Sequence, residues 1–232
     1  MAIAATLAGT LPAQDSTAAS KVRAQPQLTT AQRRALLHAP TRAFWSSRAP
    51  DTVVVDVETS RGSIVLELVR AWAPAGVDRF YNLARAGYFD DSRFYRVVYR
   101  FVAQFGIAGD AAVARLWSRR TLPADSVRSS NTRGTVAYAQ YKPTDRTTNV
   151  FINLADNVNL DSLGFAPIGR VIQGMEVADS LYSLYGEFPM SEPPLGDVKR
   201  LYRESNRYLD ATYPKLDRIV RVVVRPSHPG RE

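Results

Sequence analysis

The sequence predicts a mainly β protein, a closed eight-stranded antiparallel barrel capped by two α-helices. Three observations predict it. About eight short segments alternate apolar and polar residues, or run as brief apolar stretches, between Gly, Pro, Asn, Asp and Ser punctuation. Two segments of the body carry a clear helical period. No strand–helix–strand rhythm repeats, so neighbouring strands pair antiparallel rather than through crossover helices. In such a barrel the last strand pairs beside the first and removes both edges.

The elements follow in order. Residues 1–14 (MAIAATLAGTLPAQ) form an apolar run of small residues that looks like the hydrophobic and cleavage parts of a secretory signal without its positive start. The expectation is a partial signal peptide and a periplasmic or secreted protein, with a cytoplasmic one as the alternative. The run is too short to span a membrane as a helix. Residues 15–50 read as an extension with one helix, TTAQRRALLHA, where Thr29 and Gln32 fit a capping box and Pro40 ends it. Residues 52–58 and 63–68 alternate and join through Ser60-Arg61-Gly62 as a hairpin. In PAGVDRFYNLARAG, 74–87, Val77, Phe80, Tyr81 and Ala84 fall on one helical face, with Pro74 in the first turn and Gly87 as the stop.

Strands are expected at 93–98, 101–106, 134–140, 149–154 and 166–172, with a loop-rich stretch before Asn131. A second helix, Met175–Tyr185, turns Val177, Leu181 and Leu184 inward. Residues 187–215 are an irregular, Pro-containing insert with a short helix near 198–209, and the last strand spans 217–224. The domain is thus 51–225, followed by a tail, 226–232.

Composition narrows the chemistry. There is no cysteine, which excludes disulfides, thiolate metal sites and thiol nucleophiles. The two histidines, His38 and His228, lie outside the patterned body, which argues against a Ser-His-Asp hydrolase or a His-rich metal site. The formal net charge is +8, but the basic residues are scattered singly and no basic run marks a nucleic-acid patch. Nucleic acid is therefore not the expected partner.

The stretch SRFYRVVYRFVAQFG, 92–106, sets three arginines among aromatic and branched residues. Buried strands shun Arg unless it is paired or working. FYRVVYRFVAQFG resembles the FHRV-x-x-x-F-x-x-Q-x-G signature of the cyclophilin-type peptidyl-prolyl isomerases. PAGVDRFYNLARAGYFDDSRFYR is similar to that family's first helix and catalytic strand, and RGTVAYAQ to its G-x-x-x-M-A-N segment. RTTNVFINLADNVNLD resembles TSQFFI-x-x-x-x-x-x-x-LD, and FAPIGRVIQGMEVADSL resembles FG-x-V-x-x-G-x-x-V-x-x-I. Five matches in order, over residues 52–184 and again in the final strand, make the resemblance specific.

The resemblance implies a cyclophilin-like barrel and an enzyme that accelerates rotation about X-Pro bonds of folding polypeptides, without metal or cofactor. Arg96 matches the catalytic arginine and Gln104 the glutamine beside it. Phe101, Phe151 and Leu160 match the floor and walls of the proline pocket, and Val102 its usual Met. Ala139 and Gln140 match the Ala-Asn pair that meets the substrate backbone, and Asn149 a second pocket glutamine. Arg93 and Arg100 read as solvent-facing charges.

Departures from the family pattern stand out. Tyr95 replaces His, Tyr99-Arg100 replaces a small or Pro-Gly turn, and Gln140 and Asn149 change side-chain reach by about a carbon. Asn159 replaces an aromatic and Phe165 a His, so the expectation is weak cyclosporin binding. The expected partners are proline-containing polypeptides, bound by a monomer with no membrane span. A non-catalytic proline-peptide-binding or chaperone module on the same barrel is the alternative function.

Overall fold

The computed structural model describes residues 28–142, 144–187 and 196–226. The expected signal segment and nearly all of the tail lie outside them. No described helix is long and apolar enough to cross a membrane. In chain order the elements are α1 (Thr30–Leu37), β1 (Thr52–Thr59), β2 (Gly62–Val69), α2 (Pro74–Arg85), β3 (Arg96–Val98), β4 (Val102–Phe105) and α3 (Ala111–Trp117). There follow β5 (Thr135–Tyr138), β6 (Val150–Asn153), α4 (Asn159–Ser162), β7 (Pro167–Gln173), α5 (Met175–Asp179), α6 (Val198–Glu204), α7 (Asn206–Thr212) and β8 (Ile219–Val224).

The eight strands form one antiparallel sheet in the order β3-β4-β6-β5-β7-β2-β1-β8. The last strand pairs beside the first, but the barrel is a curled sheet rather than a fully laddered cylinder. Among the described residues its two edges meet through the Arg93–Arg218 bridge, where Phe94 N donates to Asp217 O at 2.9 Å and Ile219 N to Ser92 O at 2.8 Å. The seam holds Arg93, which is 8 % exposed instead of solvated as the sequence suggested. It forks onto Asp210 at 2.9 and 3.0 Å and donates to Asp91 Oδ1 at 2.9 Å, which makes its burial tolerable. Arg100 is exposed, as expected, in a left-handed turn with φ 54°.

Alternation sorts the strands into two faces. Val97, Ala103, Ile152 and Val136 align across β3, β4, β6 and β5 and point into the main core. Arg96, Gln104, Phe151 and Ala137 form the adjacent row with opposite parity, on the outer face. All four residues of β4, β5 and β6 are nevertheless buried, because a separate apolar cluster covers that outer face.

Helix α2 buries Val77, Phe80, Leu83 and Ala84 in the core, with Phe80 stacked on Phe89 at 4.8 Å. Its first residues carry no side-chain cap of their own. Asp125, far along the chain, accepts from Ala75 N at 3.0 Å and Gly76 N at 2.9 Å, so a loop carboxylate supplies the missing cap. Behind it Arg146, with a side chain 1 % exposed, donates to Asp125 at 3.2 Å and to the Pro123 carbonyl. Arg146 Nε and Nη1 have no partner among the described residues.

Three regions differ from the sequence expectation. The stretch before Asn131 contains α3, capped by Asp110 on Ala112 N and Val113 N and anchored by buried Val113, Ala114 and Trp117. The extension docks there: Trp45 meets Trp117 edge-on at 4.4 Å, and Trp117 Nε1 donates to Leu37 O at 2.9 Å. The second long helix ends at Asp179 rather than Tyr185, and Leu184 is 80 % exposed. Asp217 explains the stop, because it captures Tyr182 N at 2.8 Å while also holding Ser60 and Arg61. The insert forms two helices, α6 and α7, broken at Ser205 with φ 50°.

A polar knot fixes the loop that carries α4. Asp161 accepts from Asn131 N and Asn131 Nδ2, both at 2.8 Å, and from Ser130 Oγ at 2.5 Å. Burial pushes the Asp161 carboxyl up, but these donors pull it net below its ordinary value. The charged form is therefore the one the fold stabilises.

Two stability predictions follow from these carboxylates. Asp161→Ala should lower unfolding free energy by about 2–3 kcal/mol at neutral pH in urea melts, from lost charge-assisted bonds. Because the folded pKa is depressed, that contribution is present above the unfolded value of about 4 and is lost as pH falls through the folded value, so the gap from wild type should shrink below about pH 4. Asp125→Ala should cost about 3–5 kcal/mol by stranding buried Arg146, and adding Arg146→Met should recover part of the loss.

Candidate active site

The outer face of β4, β5 and β6 is where a pocket forms. Val102, Ala137, Phe151 and Leu160 make a buried apolar cluster apart from the barrel core, with Phe101, Ala139 and Phe165 packed against it. Strand parity supplies Val102, Ala137 and Phe151, while α4 brings Leu160 and the following loop brings Phe165. Phe151 and Phe165 meet edge-on at 5.9 Å. The cluster opens into a cavity of about 970 Å³. All ten residues singled out from the sequence line it, namely Arg96 and Gln104, the apolar Phe101, Val102, Phe151, Leu160 and Phe165, and Ala139, Gln140 and Asn149.

Arg96 stands at the rim with its side chain 17 % exposed. Its guanidinium is fixed on three sides. Nη1 donates to Gln104 Oε1 at 3.1 Å, the directly paired residue of β4. Nε and Nη2 fork onto Glu187 at 2.6 and 2.7 Å. The plane lies over the Phe101 ring at 5.4 Å. A guanidinium has five N–H donors, and three are engaged by these described partners.

A hydrogen-bond chain runs on from Gln104. Gln104 Nε2 donates to Tyr95 Oη at 2.9 Å, Tyr95 Oη donates to Asn149 Oδ1 at 3.0 Å, and Asn149 Nδ2 donates to Tyr202 Oη at 2.8 Å. Burial holds the Tyr95 phenol well above the ordinary tyrosine range, with the nearby Tyr202 adding to the rise. Burial also raises Tyr202. Both hydroxyls therefore stay protonated and act as hydrogen-bonding links. Asn149 is thus held in the framework of the site by both of its polar atoms.

Gln140 Nε2 donates to Leu163 O at 3.2 Å, whereas its Oε1 is buried with no partner among the described residues. Ala139 N is taken by Asn149 O at 2.9 Å. Asn159 is the exposed first residue of α4.

Sequence reasoning missed two residues of this constellation, Glu187 and Tyr202. Both come from the 187–215 insert and reach residues 91 and 53 positions away. The Tyr202 signal was present as an aromatic on a short helix, but no local pattern marks Glu187. Tyr95, noted only as a replacement for His, is the centre of the chain.

Comparisons with known proteins agree with this geometry. A family model described as cyclophilin type peptidyl-prolyl cis-trans isomerase/CLD matches residues 54–199. The chain is 30% identical over 141 residues to a peptidyl-prolyl cis-trans isomerase of Acinetobacter baylyi, covering 59% of this chain and 75% of that protein. It is 34% identical over 139 residues to peptidyl-prolyl cis-trans isomerase cyp18 of Streptomyces antibioticus, covering 55% and 81%. The fold resembles a crystal structure of a Cryptosporidium parvum cyclophilin-type peptidyl-prolyl cis-trans isomerase, with a TM-score of 0.54 and 18% identity over 77% of this chain and 99% of that one. With more than half of its length matched by the family, and an arginine held beside an apolar pocket on the outer face of the barrel, the chain belongs to the cyclophilin-type peptidyl-prolyl cis-trans isomerases.

Proposed function

We propose that the protein accelerates cis–trans rotation of X-Pro bonds in polypeptides, with Arg96 acting on the prolyl nitrogen. The observation that carries the mechanism is the Arg96 guanidinium, fixed by Gln104 and Phe101 at the rim of an apolar pocket. Peptide rotation faces a barrier of about 18–20 kcal/mol because the C–N bond is partly double. For X-Pro the two isomers lie close in energy, yet exchange over tens to hundreds of seconds. The reaction makes and breaks no covalent bond, so it needs a ring held, an acyl side free to turn, and a lone pair drawn out of resonance.

The apolar cluster holds the prolyl ring, with Phe151, Leu160 and Val102 as its walls. The Arg96 N–H groups not engaged by Gln104 and Glu187 donate toward the nitrogen as it becomes pyramidal in the twisted state. Gln140, which lines the same cavity, is the residue placed to meet the substrate backbone. Acceleration from about 10⁻² to about 10³ s⁻¹ requires roughly 7 kcal/mol, at about 1.36 kcal/mol per decade. One charge-assisted hydrogen bond supplies about 1.5–3 kcal/mol of it. Selective binding of the twisted form supplies the rest.

A second reading is favoured by one observation. Glu187 forks onto Arg96 and offsets its charge, as in a module that binds proline segments without turning them. The run Met1–Gln14 supports an exported protein, which N-terminal sequencing of the native protein tests. Asn159 and Phe165 support weak cyclosporin binding.

Exchange spectroscopy on a short X-Pro peptide separates the two readings. Wild type should accelerate exchange, and Arg96→Ala should lower kcat/KM by about 10- to 150-fold, the rate equivalent of one charge-assisted bond. Saturable binding without acceleration by wild type supports the binding module, and an Arg96→Ala variant equal to wild type removes the role given to Arg96. Tyr202→Phe, which leaves Asn149 Nδ2 without its acceptor, should lower kcat/KM by about two- to tenfold through loosened Gln104 and Arg96.

A further inference from the structure

We propose that the cavity selects proline segments carrying acidic residues beside the proline, through a basic wall formed by α3 and α6. The inference rests on the isomerase reading of the same cavity and concerns which substrates it takes. The apolar cluster is only one side of the 970 Å³ space. The lining also includes Arg115 of α3, Arg119 just after that helix, and Lys199 and Arg203 of α6. These two helices are locked together, with Arg115 Nη1 donating to Arg203 O at 2.7 Å.

Among the described residues, charge on this wall is compensated only in part. Among the described residues no carboxylate pairs with Arg115, Arg119 or Lys199, and Arg203 shares the single carboxylate of Glu204 with Arg200 and Arg207. The anions that border the cavity are committed elsewhere. Glu187 is forked onto Arg96, and Asp145 accepts the backbone N–H groups of Tyr141 and Lys142. The β7-β2-β1-β8 half of the sheet shows the opposite arrangement, with Arg221 on Glu58, Arg225 on Asp56 and Arg170 on Glu67. A cavity of this size is at the upper end of ligand sites and holds more than a prolyl ring. Residues flanking the ring then lie against the basic wall, where carboxylates are attracted and ammonium groups repelled.

Three peptides with one Ala-Pro core, flanked by Glu, Ala or Lys, test this by exchange spectroscopy. Wild-type kcat/KM should be about tenfold higher for the Glu than for the Lys peptide at low salt, and the two should converge near 0.5 M as exposed charges are screened. Lys199→Glu with Arg203→Glu should reverse the order. Should that variant not fold, Lys199→Ala, at an exposed side chain, should narrow the gap. Equal values for the Glu and Lys peptides in wild type, or an order unmoved by these substitutions, overturn the inference. No exchange on any of the three overturns the isomerase reading instead, and chemical-shift titration then decides the inference by the same Glu-over-Lys order of affinity. Tighter, steeply salt-dependent binding of a single-stranded DNA oligonucleotide than of the Glu peptide also overturns it.

Discussion

The site depends on strand register. Arg96, Gln104, Phe151 and Ala137 are paired across β3, β4, β6 and β5, so one transverse row carries the guanidinium, its amide partner and two walls of the pocket. A slip of one residue would exchange this row for Val97, Ala103, Ile152 and Val136, turning an arginine into the core and a valine outward. Burying that charge without a partner would cost several kcal/mol, so the alternative registers are excluded. Gly106 pins the register at the end of β4. Its φ of 111° is open to glycine, and a Cβ there would run into the Thr148 carbonyl just before β6. The chain can approach that closely only because no side chain intervenes.

The outer face of the sheet then has to be covered while leaving an opening. Packing from α4 and Phe165 covers part of it, and the insert closes round the rest. Two residues of the insert are wired to the same group: Glu187 binds Arg96 directly, and Tyr202 reaches it through Asn149, Tyr95 and Gln104. Two opposing effects meet at the guanidinium. The fork from Glu187 orients it and lowers its net field, whereas the adjacent apolar cluster lowers the local dielectric and strengthens whatever field remains. Fixed orientation matters more here, because a donor aimed at a transient pyramidal nitrogen must not reorganise during the turn.

Much of this was legible in the sequence, for definable reasons. The eight strands show because alternation reports one face in a core, and the two-sided burial of β4, β5 and β6 shows as short apolar runs. All ten residues chosen for the site line one cavity, because motif spacing preserves register and register places side chains. What failed was non-local. Arg93 resembled its neighbour Arg100 in local context, yet Asp210 on α7 gives it a buried partner 117 residues away. The helix from Met175 stops early because Asp217, 35 residues on, captures Tyr182 N. Glu187 finds Arg96 by the same kind of long-range contact, and nothing within a window around it announces the pairing.

The departures from the family pattern become intelligible once the hydrogen-bond chain is traced. Taken singly, Tyr for His at 95 enlarges a buried side chain, and Asn for Gln at 149 shortens one. In the folded protein the two changes meet, with the Tyr95 hydroxyl donating to Asn149 Oδ1 at 3.0 Å. The phenol's added length restores the reach that the shorter amide gives up. Its hydroxyl also accepts from Gln104 at 2.9 Å, so one group serves both amides. A His at 95 with Asn at 149 would leave a gap, and Tyr with Gln would overfill the same space. The pair therefore works as a unit that hands the support of Gln104, and through it of Arg96, to Tyr202 in the insert. The residues that depart from the family pattern at 95 and 149 are the ones that join the insert to the site.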